Sequence, residues 1–312
     1  MMAMMAWRLL RTGPGEPAWN MALDEALWRS FPKAGRPTLR LYRWARPTLS
    51  IGYSQRVGEF DLEACAELGV EIVRRPTGGG AVLHRPHDYE VTYSLVHQVE
   101  GLGNVKESHR MIAEALASGL RRLGLAVEVQ DRAHAQNHPY HRAIGACFAI
   151  PSYAELTISG RKVVGMAQVR DRLALLEQGS IPLELDLERL VVLMAVAEEK
   201  GRGSDGLSRA ELLDLLRARA GGLREFAPAS VKAEEVEEAL IAGFADRFKV
   251  GLVEAPPTRE ELELAEALAK GKYSDPSWNL ETEPRSGATT HGAGSRFRFW
   301  FRAIVDFPGA AC

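Results

Sequence analysis

Cysteine is scarce in this chain. Three thiols in 312 residues, at positions 65, 147 and 312, are odd in number, and their spacing matches no disulfide framework or zinc ribbon. Free thiols are expected. A basic excess is missing as well: Lys+Arg 39 stands against Asp+Glu 41, for a net charge of -2. A binder of nucleic acid or of anionic membranes would show such an excess, so neither partner is expected. No apolar run approaches the roughly 20 residues that cross a bilayer. Met1 to Leu10 has a short apolar stretch, yet it has no basic n-region and no cleavage site. A cytoplasmic protein is expected, and a hydrophobic content of 46% is ample for a large core.

What is present falls into two halves. Residues 17–30 read as a helix, with Pro17 in its first turn and Ala22, Leu23, Ala26 and Leu27 on one face. Residues 38–44 and 48–53 read as strands. Asp61 fits the N-cap of a short helix ending near Gly69, and residues 70–75 and 90–96 read as further strands. Ser108 to Leu123 carries a helical stripe stopped by Gly124. Residues 131–146 read as a polar, His-rich loop. Tyr153 to Ile158 and Arg161 to Gln168 then form a hairpin about Ser159-Gly160, and residues 173–185 add one or two strands. From 187 to 270 the pattern is helical. Ser208 with Glu211, and Thr258 with Glu261, fit capping boxes, and Val236, Leu240, Phe244 and Phe248 form a core stripe. Gly201 to Ser208 reads as a flexible joint. Strands followed by helices suggest an α+β fold.

Three segments can carry chemistry. The first runs Arg74-Arg75-Pro76-Thr77-Gly78-Gly79-Gly80-Ala81-Val82-Leu83-His84. A strand delivers two arginines to three glycines, and consecutive glycines clear every side chain so that a ligand can touch the backbone. Arg75 and His84 flank that surface. No Gly-Lys-Ser/Thr follows, which excludes a P-loop. The second segment is Gly145 to Tyr153, where Cys147 sits between a polar loop and a strand. A loop thiol becomes a strong nucleophile once its pKa falls. Its alternative is a small buried hydrophobe, the fate expected for Cys65 on its short helix. The third segment is Gly160 to Gly165. Lys162 there is either a solvated edge charge or a cleft group that polarises a carbonyl; the sequence leaves both open. His134, His138 and His141 cluster, but Asn137 and Pro139 argue against a helix and no further ligand completes a zinc set. No metal is expected.

Together these segments resemble the lipoyl/biotin protein ligase superfamily. RRPTGGGAVLH is similar to the arginine–glycine loop of its lipoate ligases and octanoyltransferases, and GRKVVG to the stretch with their acyl-contacting lysine. ACFAIPSYAEL is similar to the cysteine segment of the family's octanoyl carrier protein to H-protein octanoyltransferases. NMALDEALW and KYSDPSWN also look like family segments, so the resemblance spans roughly residues 7–280. It implies a mixed, largely antiparallel sheet packed with helices in one catalytic domain, 1–280, followed by an extension, 281–312, of unknown role. It implies Cys147 as nucleophile, Lys162 as the activating lysine, and Arg75, Gly78, Gly79, Gly80 and His84 as the acyl-binding wall. No cofactor is implied. The donor it implies is octanoyl acyl carrier protein, and the acceptor is the glycine cleavage H protein or another lipoyl domain. An ATP-dependent lipoate–protein ligase, a lipoyl-domain amidotransferase and a binding module without catalysis are the alternatives. Gly80 gives a triple glycine, as in the ligases, and Arg85 to Tyr89 is longer than the family's short acidic step.

Overall fold

Ten residues that the hydropathy pattern leaves without an element, Ala6–Gly15, form the first strand, β1. The computed structural model describes residues 6–130, 153–196, 207–227 and 230–280. After β1 come α1 (Pro17–Ala34), β2 (Thr38–Trp44), β3 (Thr48–Ile51), α2 (Leu62–Glu67), β4 (Glu71–Arg74), β5 (Val82–His84), β6 (Glu90–Gln98), α3 (Val105–Arg121) and β7 (Glu128–Gln130). The second part holds β8 (Glu155–Ile158), β9 (Arg161–Lys162), β10 (Gly165–Arg170), β11 (Ala174–Pro182), α4 (Leu187–Leu193), α5 (Arg209–Arg219), α6 (Ala233–Phe248), β12 (Gly251–Glu254), α7 (Arg259–Leu268) and α8 (Pro276–Leu280).

A six-stranded sheet in the order β10-β11-β6-β2-β1-β12 forms the centre. Its β10, β11, β6 and β2 pair antiparallel, while β1 pairs parallel with both β2 and β12. The expected α+β class with a mixed, largely antiparallel sheet is what forms. Alternation along each strand splits the core in two. Leu9, Leu41, Leu95 and Leu175 face α3 and α6. Their neighbours Leu10, Tyr42, Val96 and Leu176 face α1 and α7. Val236, Leu240 and Phe244 of α6 are buried in the first core, as their spacing predicts, and the Phe248 ring rests 4.6 Å from that of Trp7.

A small sheet, β4-β3-β5, carries the arginine–glycine segment, and a third, β7-β8-β9, carries the Lys162 hairpin. Asp61 caps α2 by accepting from the Ala64 N–H, and both expected capping boxes form. The Ser159-Gly160 turn has φ of 51° and 77°, the pair of positive values that a two-residue hairpin turn requires.

Three expectations need correction. Residues 161–168 are not one strand: β9 stays with β8, and β10 joins the central sheet. Val163 and Val164 are both buried, which breaks the alternation at the crossing point. The helical half contains a strand, β12, too short to show a local period. And α3 begins at Val105, where Asn104 accepts from the Lys106 and Glu107 N–H groups. Most of the expected joint at 201–208 lies outside the described residues, as does the polar loop 131–146.

Candidate active site

Where the slot-facing ends of β2, β6, β10 and β11 meet α1 and the small β3 sheet, a narrow slot opens. Met21 comes from α1, Tyr42 and Trp44 from β2, and Val82 from the start of β5. Gly165, Met166 and Ala167 of β10 face Gln178, Gly179 and Ser180 of β11. Ser50, Arg75, His84 and Thr92 supply polar groups. The slot is narrow, with a cavity volume of about 30 Å³.

Arg74 and Arg75 are consecutive, so their side chains take opposite sides. Only Arg75 lines the slot. Its Nη1 donates to the Ser50 carbonyl at 2.9 Å and to Ser50 Oγ at 3.2 Å. Its Nη2 donates to the Gly78 and Gly80 carbonyls at 2.7 and 2.6 Å. The guanidinium therefore staples the glycine loop to β3. Arg74 does structural service instead. Its Nη1 donates to the carbonyls of Gly52, Tyr53 and Gln55, and its Nε to that of Trp278. Burial holds its pKa below the usual arginine value.

The glycines have a conformational reason as well. Gly79 has φ +86°, and a Cβ on Gly52 would stand 2.0 Å from the Gly79 carbonyl oxygen. Loop and strand touch backbone to backbone, which only glycine permits. Around Gly78 the space is open.

His84 is held on three sides. Its ring stacks on Trp44 with centroids 4.1 Å apart. Nδ1 lies 2.7 Å from Glu90 Oε1, and Nε2 lies 2.7 Å from Ser50 Oγ. Burial pushes the Glu90 carboxyl up, but the His84 ring and hydrogen bonds from His84, Thr92 and Ser180 more than offset it, leaving it below the usual range.

Beneath the slot lies a carboxylate of the NMALDEALW segment, whose role the sequence does not reveal. Asp24 on α1 accepts from Arg40 (2.7 Å), Tyr42 (2.9 Å), Ser94 (2.6 Å) and Gln178 (2.6 Å). Gln178 in turn accepts from Thr77 Oγ1 at 2.9 Å, tying the glycine loop to α1. This explains one conspicuous segment, NMALDEALW. The other, KYSDPSWN, docks onto the same helix: Lys272 Nζ reaches Glu25 at 2.6 Å. Trp278 Nε1 donates to the Arg74 carbonyl. Sequence reasoning also misses Ser50, Glu90 and Gln178. The legible signal is polar residues at alternate positions, Glu90, Thr92 and Ser94, on a strand too buried to be facing water.

Lys162 is not a solvated edge charge. It is 3% exposed, and its Nζ stands 2.9 Å from Glu155 Oε1, an ion-pair contact off the hydrogen-bond line. It does not line the slot itself, although Gly165, three residues on, does. Cys147 lies outside the described residues, and so do His134, His138, His141 and Cys312. Cys65 is buried on α2, and burial, helped by Asp61, pushes its thiol up to about 11, so it carries no thiolate at neutral pH. Among the described residues, no cluster of His, Cys, Asp and Glu could hold a metal, and no helix is long and apolar enough to cross a membrane.

Residues 16–245 match the model of the lipoyl protein ligase A/B catalytic domain, and the chain belongs to that family. An octanoyltransferase LipM of Kyrpidia tusciae is 44% identical over 282 residues, covering 88% of this chain and 99% of the relative. The class so defined is that of acyltransferases. A bipartite lipoate protein ligase of Thermoplasma acidophilum, studied with its E2 lipoyl domain, superposes with a TM-score of 0.74 at 27% identity, covering 91% of this chain and all of that one. A lipoate-protein ligase A bound with ATP superposes at 0.71, also at 27% identity, covering 89% and 100%.

Proposed function

We propose that this enzyme moves an octanoyl group, in lipoate biosynthesis, from acyl carrier protein to a lysine of a lipoyl-accepting protein such as the glycine cleavage H protein. A Cys147 thioester is the intermediate. The observation that carries the reading is the slot: a slit walled by Met21, Val82, Met166 and aromatic rings suits an unbranched chain better than a nucleotide. Its polar end, with Arg75 and His84, suits the carbonyl. The names of the LipM relatives point the same way.

In the first step the Cys147 thiolate attacks the carrier thioester, and the carrier thiolate leaves and takes a proton. Lys162 and amides of the Gly78–Gly80 loop stabilise the oxyanion that forms. In the second step the deprotonated amine of the acceptor lysine attacks the acyl-enzyme, the Cys147 thiolate leaves, and the nitrogen gives up a proton to solvent as the amide forms. Exchange between thioesters is nearly balanced and the amide is downhill, so no nucleotide is consumed and no cofactor is needed. Each CH₂ in the slot contributes about 0.8 kcal/mol, so two carbons too few weaken binding by about 1.6 kcal/mol.

The second reading is an ATP-dependent ligase, favoured by the third glycine, Gly80, and by the ATP-bound neighbour. One experiment separates them. Wild-type protein is mixed with octanoyl carrier protein and acceptor without ATP, and Cys147→Ala with octanoate, ATP, magnesium and acceptor. Intact mass should show acyl-enzyme and modified acceptor in the first mixture and neither in the second. Modified acceptor in the second mixture establishes the ligase.

A further inference from the structure

The slot holds a nucleophile that the two-step transfer does not use. Ser50 Oγ borders the slot and lies 2.7 Å from His84 Nε2, and His84 Nδ1 lies 2.7 Å from Glu90 Oε1. The proton positions follow from the partners. Glu90 is held in its ionised form by the hydrogen bonds it accepts from His84, Thr92 and Ser180, and a carboxylate can only accept. In the neutral imidazole a proton on Nδ1, facing the Glu90 carboxylate, leaves Nε2 with its lone pair toward the Ser50 hydroxyl. Arg75 Nη1, 3.2 Å from Ser50 Oγ, donates from the other side and stabilises negative charge on that oxygen. The stack on Trp44 fixes the imidazole plane.

A contrasting pair elsewhere in the fold shows what is special here. His109 Nδ1 lies 2.7 Å from Glu177 Oε1, and both residues are buried, but neither lines the slot. In the His84 relay, nucleophile, base and orienting carboxylate stand in line and open on a cavity, the arrangement that makes a serine reactive.

We propose that Ser50, served by His84 and Glu90, is a second acyl-accepting nucleophile that gives this enzyme a slow, Cys147-independent hydrolysis of medium-chain acyl thioesters and activated esters. The Ser50 Oγ–H proton passes to His84 Nε2 as Oγ bonds to the acyl carbon. The C–S bond breaks, and the departing thiolate takes that proton. Water then attacks the Ser50 ester and gives a proton to Nε2. That proton returns to Ser50 Oγ as the free acid leaves. The choice of medium-chain acyl groups rests on the slot being the acyl slot of the proposed transfer.

The test uses full-length Cys147→Ala protein and an octyl fluorophosphonate, which modifies activated serines and spares thiols. A single adduct should form and map to the peptide containing Ser50, with decanoate protecting. Glu90→Gln, which keeps the side chain's size but loses the charge, should slow labelling at least tenfold in protein whose circular dichroism is unchanged. The same Cys147→Ala protein should release octanoate from octanoyl-pantetheine above the buffer rate. No adduct at Ser50, or a rate indifferent to Glu90→Gln, overturns the proposal. The two readings fail separately: transfer to the acceptor by wild type with Ser50 unlabelled removes the serine alone, and labelled Ser50 without transfer removes the octanoyltransferase reading alone.

Discussion

The wall of the slot and the hairpin that carries Lys162 are supported in different ways. In the wall each charged group has several partners drawn from distant parts of the chain. Asp24 takes hydrogen bonds from β2, β6 and β11 at once, and Arg75 reaches carbonyls on β3 and on both sides of Gly79. The hairpin is a two-residue strand, β9, on a four-residue one, β8, with Lys162 buried beside Glu155 at 2.9 Å. A binding surface needs to be preorganised, and redundancy supplies that. On the proposed mechanism Lys162 serves the charge that develops on the acyl group, so its loss should act mainly on the rate. The first region belongs to stability, the second to rate, and substitutions can test whether that separation is real.

The largest effect should come from Asp24→Ala. Arg40 and Asp24 are both fully buried, and removing one partner leaves an uncompensated charge. Breaking a buried pair this way costs about 3–5 kcal/mol. Urea unfolding should show a loss of that order. A midpoint close to wild type would mean that water or a rearranged Gln178 satisfies Arg40, and that Asp24 is not what holds the wall together.

Lys162→Met should do the reverse. Losing one oxyanion donor lowers the rate by about 10²–10³. Single-turnover acylation by octanoyl carrier protein measures this, beside a urea curve on the same protein. A stability loss comparable to that of Asp24→Ala, with the rate per folded molecule unchanged, would make Lys162 a structural residue paired with Glu155 and erase the contrast.

Gly52→Ala probes the wall at its tightest point. The added Cβ meets the Gly79 carbonyl oxygen at 2.0 Å, a backbone atom that cannot rotate away. Overpacking of this kind costs about 1–3 kcal/mol. The loop should also shift off Arg75, so KM for the acyl donor should rise while Lys162 chemistry is spared. An unchanged KM in a destabilised protein would show that the loop's position does not set binding.

These tests fall on residues of uneven legibility. The arginine–glycine segment is readable from sequence because its signal is local: three adjacent glycines bare the backbone wherever they fold, and two arginines bring charge to it. The hairpin turn at Ser159-Gly160 is local too. Asp24, Ser50, Glu90 and Gln178 are not readable this way, since each matters through partners up to 154 residues away. The strand pair β1–β12 escapes for the same reason, its two members lying at opposite ends of the described chain. For Arg74 and Arg75 the residue types are evident, but only the alternation of the strand assigns one to α8 and the other to the slot. Lys162 is undecided in sequence because a hairpin edge and a buried ion pair have the same local pattern.

The smallest effect should follow truncation after Leu280. Residues 281–312 begin with linker-like composition, Thr289 to Ser295 being small and polar. The wall is finished before that point. Trp278 and Asn279 of α8 close on Arg74 through the Nε–carbonyl bond at 3.0 Å and the Asn279 Oδ1 contact with the Arg74 N–H at 2.9 Å. Lys272 completes the Glu25 pair. A chain ending at 280 keeps all of these, so its urea midpoint and its single-turnover acylation should both match the full-length protein. A second cut, after Lys270, makes the result informative. It removes Lys272, Tyr273, Trp278 and Asn279 together. Glu25, 1% exposed, loses Lys272 and Tyr273 but keeps Arg29, and Arg74 loses its hold on α8. That protein should be destabilised by about 3–5 kcal/mol, the cost of losing a large buried aromatic side chain such as Tyr273. If the cut after Leu280 were as damaging as the cut after Lys270, Phe297 to Val305 would belong to the core and the boundary of the catalytic domain would lie beyond 280.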